Sequence, residues 1–354
     1  MDFRNLTPFT CQYWYTLDKN GDQQGVLTVK AVFDFVKDED GWCLKLKQQQ
    51  EPLITEDSFF GEMNFSSVQY ESEYIPKKPV TDVILNATAY APEGFNRHFR
   101  AGILVNDQHV AMLEVTGKRH WQKLQQGLTV SQPEGCESVP IRYEKAFGGV
   151  LLRDESLDTP LITENVLISS PYNPIGCGLT HPERDCDGAE FPQLLWAGDL
   201  QKITDSQLIM PAGFGHFGRG WQPRIAHAGT FDDQWLAERH PLLPLDFDSR
   251  HYNSAHPRLQ MKNYLEGNEI ITLLNLDPRY KIQSFALPGY RLMWRVELKS
   301  GSTATGILPL DTLFIDINQG LWNGQVTLCW RSYWAYLDDV KTLTAVALPP
   351  QQSR

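Results

Sequence analysis

The sequence predicts a mainly β protein: antiparallel, sandwich- or barrel-like sheets, with a loop-rich middle segment and few short helices. Three observations carry this expectation. Residues 1–150 alternate apolar and polar side chains with the period of two shown by half-buried strands. Residues 264–354 are strand-like again, with turn signals spaced roughly every 8–12 residues, as in sandwiches and barrels. Between them, residues 151–263 hold Pro160, Pro171, Pro174, Pro182, Pro192, Pro211, Pro223, Pro241, Pro244 and Pro257 and little periodicity of either kind. The two β-rich regions can pack as one body. No tandem repeat of about 20–50 residues is visible, which disfavours solenoids and propellers.

In Val26–Val36, Leu27, Val29, Ala31, Phe33 and Phe35 point one way and Thr28, Lys30 and Asp34 the other, with Val32 breaking the alternation. Trp42, Leu44 and Leu46 repeat the pattern. The polar link Lys37-Asp38-Glu39-Asp40-Gly41 ends in glycine, so the two runs read as a hairpin. A second hairpin is expected from Phe99–Val105 and His109–Thr116 across Asn106-Asp107-Gln108. A further strand is expected at Val83–Tyr90, between Pro76/Pro79 and Pro92/Gly94. In the middle segment one short helix is expected, capped by Thr230, with Asp232 and Asp233 in its first turn and Pro241 closing it. After Glu269, strands are expected at Glu269–Asn275, Lys281–Leu287, Arg291–Leu298, Asp311–Ile317 and Gln325–Tyr336. The tail from Pro349 to Arg354 is expected to fray.

The 354 residues carry 32 Lys+Arg against 43 Asp+Glu, a formal charge of −11, which makes duplex nucleic acid and anionic membrane surfaces poor partners. With 42% hydrophobic residues, including 10 Trp, 13 Tyr and 17 Phe, the chain has ample material for a packed core and should not be disordered. The start, MDFRNLTPFTCQYWY, lacks the apolar stretch and cleavage site of an export signal. No apolar run approaches the ~20 residues of a membrane span, so a cytoplasmic protein is expected. The six cysteines are then expected as reduced thiols.

Enzyme-like chemistry is sparse. His216, His227, His240, His251 and His256 share one stretch with Asp232, Asp233, Asp246 and Asp248, types that can hold a divalent metal, but no established ligand spacing appears. Turn caps, and pairs with Arg224, Arg239 and Arg250, account for these carboxylates more simply. Cys177, His181 and Cys186 offer three zinc-type ligands with no fourth nearby, and no metal or other cofactor is expected. The run Pro211–Gly220 has four glycines but not the order of a phosphate-binding loop. Ala146-Phe147-Gly148-Gly149 lacks a nucleophile elbow. In Cys329–Tyr336, strand alternation sets Trp330, Ser332, Trp334 and Tyr336 against Arg331, Tyr333 and Ala335. One face is expected in the core, and the other is a binding surface if it lies open.

An ordered series of motifs runs through the chain. Asn5-Leu6-Thr7-Pro8-Phe9, Val29-Lys30-Ala31-Val32-Phe33 and Lys78-Pro79-Val80-Thr81-Asp82-Val83 come first. Tyr143-Glu144-Lys145-Ala146-Phe147-Gly148-Gly149, Asn173-Pro174-Ile175-Gly176 and Pro211-Ala212-Gly213-Phe214-Gly215 follow. Then come Trp221-Gln222-Pro223-Arg224, Ala228-Gly229-Thr230-Phe231-Asp232, Trp235, Arg239-His240-Pro241, Asp246-Phe247-Asp248-Ser249-Arg250, Asn253-Ser254-Ala255 and Gln260. From residue 5 to about 331 this resembles a bacterial family first catalogued as a domain of unknown function and associated with type VI secretion as effector adaptors or chaperones. Two positions depart from its pattern: Lys145 stands where Arg is usual, and Cys177-Gly178 follows Gly176 in place of a Gly-Lys-Gly type run.

The resemblance implies a non-enzymatic cytoplasmic protein that binds a toxic effector, often one with a PAAR-like spike-tip domain, and loads it onto the secreted spike. It transfers no catalytic residues. On physical grounds Tyr143, Phe147, Phe214, Phe217, Trp221 and Arg224 combine aromatic area with glycine-permitted close approach, which suits a platform for a β-rich partner. The alternative for the same six is internal packing that knits the middle segment to the two β-regions. The rival functions are a metal-dependent hydrolase using the 216–256 cluster and, third, a carbohydrate-binding β-sandwich using exposed Trp and Tyr.

Overall fold

The long strand Gln23–Lys37 organises the molecule. Its β-branched and aromatic content suits an extended chain, and at 15 residues it is long enough to hold two partners end to end along one edge. Thr10–Leu17 pairs antiparallel with its first half, Tyr13 opposite Leu27. Trp42–Leu46 pairs with its second half, Phe35 opposite Leu44, so the first expected hairpin forms. Gln325–Ala335 runs along the other edge, followed by Leu310–Asp316 and then Asp82–Asn86, completing a six-stranded sheet. The last pair is parallel, because its strands come from distant parts of the chain and no hairpin constrains their direction. The computed structural model describes residues 1–39, 41–153, 165–335 and 339–348. Tyr336 and the tail from Pro349 lie outside these residues.

A five-stranded sheet is ordered Leu194–Trp196, His109–Thr116, His98–Val105, Ile270–Leu274, Ile282–Ala286. Its central hairpin is the second one expected from sequence, with Asn106 and Asp107 at φ of 50° and 56°, backbone that Asn and Asp tolerate in tight turns. A four-stranded sheet, Asp2–Leu6, Val340–Leu348, Arg291–Leu298 and Thr303–Leu308, completes the main set. The two larger sheets draw strands from both the first 150 residues and the region after 264, so those regions do not form separate sheets. The sheets stay open, and no barrel closes among the described residues.

The middle segment is loop-rich with short two-residue and three-residue ladders, but it holds two helices, Asp199–Thr204 and Asp233–Glu238, where one was expected. The cap of the second is Asp232, not Thr230. The Asp232 carboxylate accepts from the Trp235 amide at 2.8 Å, while Thr230 is committed to Asp246 through its amide and hydroxyl. Val83–Tyr90 divides into Asp82–Asn86 and Thr88–Tyr90, the second half turning away to pair with Ser138–Pro140.

One core cluster joins all three regions, containing Phe33, Ile103, Phe214, Leu259, Leu313 and Trp330. The six-stranded sheet supplies Leu27, Val29, Ala31 and Phe33 to it, together with Val326, Leu328, Leu313, Ile315, Val83 and Leu85 in register. Its opposite face carries Thr28, Lys30, Cys329, Arg331 and Asp82, and these too are buried. The alternation separates the two faces correctly, but the polar face is roofed by other chain instead of facing water.

Candidate functional site

Five of the six aromatic and Arg candidates are core residues. Tyr143, Phe147, Phe214, Phe217 and Arg224 are all at most 6% exposed, and only Trp221 is half-buried. Tyr143, Phe217 and Trp221 do come together, with ring centroids 5.2–5.7 Å apart and edge-on geometry. The glycines between them serve this packing: a Cβ on Gly213 would stand 2.7 Å from the Tyr143 ring, and one on Gly218 would stand 2.5 Å from Trp221. Phe214 joins the main core beside Trp196, and its carbonyl accepts from the Leu85 amide at 2.9 Å, docking the loop on the six-stranded sheet. Phe147 lies in a separate cluster with Trp121 and Phe191. Side chains filling the space between loop and sheet offer no platform, which corrects that expectation.

Arg224 ties loops together. It donates to the carbonyls of Phe217 at 2.6 Å and His251 at 2.9 Å and pairs with Glu71 at 2.8 Å. Burial opposes the charge on Glu71, but the Arg224 and Arg219 guanidiniums outweigh it and hold the carboxyl down to about 2. His216 sits 3.8 Å from the same carboxylate and 3.0 Å from the Ser254 hydroxyl. Burial drives its ring down to about 4, so it is neutral at pH 7.

The rest of the 216–256 cluster is dispersed. Asp248 pairs with Arg250, Asp246 takes Thr230, Asp232 caps a helix, and His256 is buried against Trp196. Cys177 points to the Ala146 carbonyl, His181 accepts from the Glu183 amide, and Cys186 points to the Arg184 carbonyl. Burial raises the Cys177 thiol to about 12, unlike a metal-ligating thiolate. Among the described residues, no three His, Cys, Asp or Glu side chains converge as a metal-binding group. All six cysteines are free thiols. Trp330 is buried and stacked on Phe9, Trp334 stacks on Tyr13 and Trp294, and Tyr333 is the exposed aromatic of that strand.

The feature that the fold itself leaves unexplained is the outer face of the five-stranded sheet. The inner face, with Ile103, Val105, Leu113, Ile271, Leu273 and Phe285, is buried. The alternate positions should then be polar if they met only water. Instead the register aligns Val110 with Leu104 and Thr272, and Met112 with Gly102, Leu274 and Ile282, with Ile270 beside them. Val110, Ile270 and Ile282 are 53%, 52% and 61% exposed. Gly102 keeps the surface low, because a Cβ there would stand 2.7 Å from the Met112 sulfur. A polar row, Arg100 and His98 on Glu114, bounds the patch on one side. The face is interrupted by the hydrogen-bonded Thr272–Ser284 pair, and an apolar surface with such polar points and a polar rim is the pattern of a protein interface. A signal for it is present in the sequence: Ala101-Gly102-Ile103-Leu104-Val105 and Ile270-Ile271-Thr272-Leu273-Leu274 are near-continuous apolar runs, as in strands covered on both faces.

The family model described as an uncharacterized protein conserved in bacteria, DUF2169, matches residues 20–331. The chain belongs to this family. In this DUF2169 chain the match takes in the whole five-stranded sheet with its apolar face, and the six-stranded sheet apart from Thr10–Leu17 and the end of Gln325–Ala335. No curated protein and no solved structure matches this DUF2169 chain. Among its described residues, no helix is long and apolar enough to cross a membrane.

Proposed function

We propose that the protein is a non-catalytic adaptor that holds a secreted effector, one carrying a PAAR-like spike-tip domain, and presents it to the spike of a type VI secretion machine from the cytoplasm. The observation that carries this reading is the uncovered apolar face around Val110, Leu104, Met112, Leu274 and Ile282. An exposed apolar sheet face can seat a sheet or helix of a partner, and it would keep apolar surface of that partner from water until assembly. The class of partner rests on the family resemblance carried by the ordered motifs from Asn5 to Gln260. Co-expression with the effector encoded beside this gene, followed by size-exclusion chromatography, tests the proposal. Stable co-elution is expected, lost in a Val110→Glu/Ile282→Lys variant. Absence of co-elution with any adjacent effector or PAAR-like protein overturns it, as does a face occupied by a second copy of this chain and unaffected by effector.

A further inference from the structure

The polar face of the six-stranded sheet encloses a cavity of about 270 Å³. Its floor is the alternate residues Gln325, Thr327, Cys329 and Arg331 with Lys30 and Thr312; its roof includes Glu71, Glu73, Lys78, His216 and Ser254. Burying this many charges is costly unless each is matched, and the matching is incomplete in a consistent way. The Lys30 ammonium has two acceptors among the described residues, Glu73 at 3.0 Å and the Pro52 carbonyl at 3.1 Å. Lys78 likewise has Asp82 at 2.7 Å and Thr312 at 3.0 Å. An ammonium carries three protons, so each lysine keeps one for whatever fills the cavity. The carboxylates mirror this. Glu71 Oε1 takes both Arg219 at 2.7 Å and Arg224 at 2.8 Å, while its Oε2 is 3.8 Å from the neutral His216 ring, beyond a hydrogen bond. Glu73 Oε1 has the weak thiol donor of Cys329 at 3.4 Å.

We propose that this cavity binds a small zwitterion of the α-amino-acid class, its carboxylate meeting Lys30 and Lys78 and its ammonium meeting Glu71 and Glu73. The lining sets Lys30, Lys78 and Arg331 among Glu51, Glu71 and Glu73; a simple anion would confront the carboxylates and a simple cation the ammonium and guanidinium groups, so a ligand bearing both charges answers both sets. Phe314, Ile54 and Ile75 add an apolar wall for a side chain. The volume lies just under the roughly 300 Å³ at which ligand pockets begin, so the occupant is compact. The cavity lies on a different sheet from the apolar face, and neither proposal depends on the other.

The test is calorimetric titration of the full chain with each of the twenty free amino acids, then with the N-acetyl and methyl-ester forms of any that bind. Saturable binding at one site is expected, weakened at least about tenfold by either modification, since each removes one charge. Binding by none of the twenty, or equal binding of an N-acetyl or ester form, overturns the proposal. Lys30→Met and Glu71→Gln should abolish binding. Because they disturb buried ion pairs, Thr327→Leu serves as the second variant: it fills the cavity without touching a charge, and a folded Thr327→Leu protein that still binds also overturns the proposal.

Discussion

Arg224 Nη2 lies 2.8 Å from Glu71 Oε1, a contact between two buried side chains 153 positions apart. The pair fastens the loop-rich middle to the segment that roofs the six-stranded sheet. Removing the carboxylate leaves a buried guanidinium with only carbonyl partners, the situation that costs about 3–5 kcal/mol when one half of a buried pair is lost. Glu71→Met should therefore lower the unfolding free energy by about that much. The double variant Glu71→Met/Arg224→Met should recover part of it, because no charge is left unpaired. Urea unfolding of the three proteins measures both effects.

Stability should fall on mild acidification. Burial pushes His216 down to about 4 and His256 to about 3, from an ordinary value of 6.5. The unfolded chain therefore takes up protons that the folded chain refuses, and the stabilisation from neutral, buried rings is complete above pH 6.5 and declines as pH drops toward 4. Glu71 adds a further loss lower down, between 4.5 and about 2. Urea midpoints should be level from about pH 7 to 8 and slope downward from 6.5 to 4. His216→Gln, which can still bond Ser254, should make that slope shallower.

Much of the fold is legible in the sequence because alternation and turn chemistry are local. Arg291–Leu298 is recovered to the residue, and both hairpins form as expected. Thr10–Leu17, Thr303–Leu308 and Val340–Leu348 escape sequence reading, and each owes its strand to pairing with a better-marked neighbour. The site was less legible. Lys30 and Arg331 occupy the polar phase of well-marked strands, yet whether that phase meets water or a roof is decided by residues elsewhere in the chain, such as Glu73, 43 positions from Lys30. The Gly-aromatic motifs misled as surface candidates because close approach of backbone and ring serves a core as well as an interface.

Two of those motifs meet at Asn173. Its side-chain amide donates to the Tyr143 carbonyl at 2.8 Å and the Phe147 carbonyl at 3.0 Å, and its own carbonyl accepts from Gly149 at 2.8 Å. Gly148, at φ 152°, has room only for hydrogen there: a Cβ would stand 2.0 Å from the Asn173 carbonyl oxygen. Gly148→Ala must both strain the backbone and push the two motifs apart, so a loss above about 4 kcal/mol is expected. Asn173→Ala should cost less, about 1–3 kcal/mol for the carbonyls left unpaired. Thermal unfolding of the two variants gives the ranking; equal stability to the parent would show the junction to be incidental.

The two faces of the five-stranded sheet should respond oppositely to the same chemistry. Ile271 and Leu273 are buried, so a charge at either position is expected to prevent folding. Val110 and Ile282 stand on the outer face, more than half exposed, where a charge stays hydrated and should change stability by no more than about 0.5 kcal/mol. If the outer face seats a partner, Val110→Glu/Ile282→Lys will keep the parent circular dichroism and unfolding midpoint while losing effector co-elution. Charges on the far side of the four-stranded sheet, such as Ile307→Lys, will change neither. A double variant that retains full partner binding removes this face as the docking surface, because two charges set into a desolvated apolar contact cannot be accommodated without a large loss of affinity.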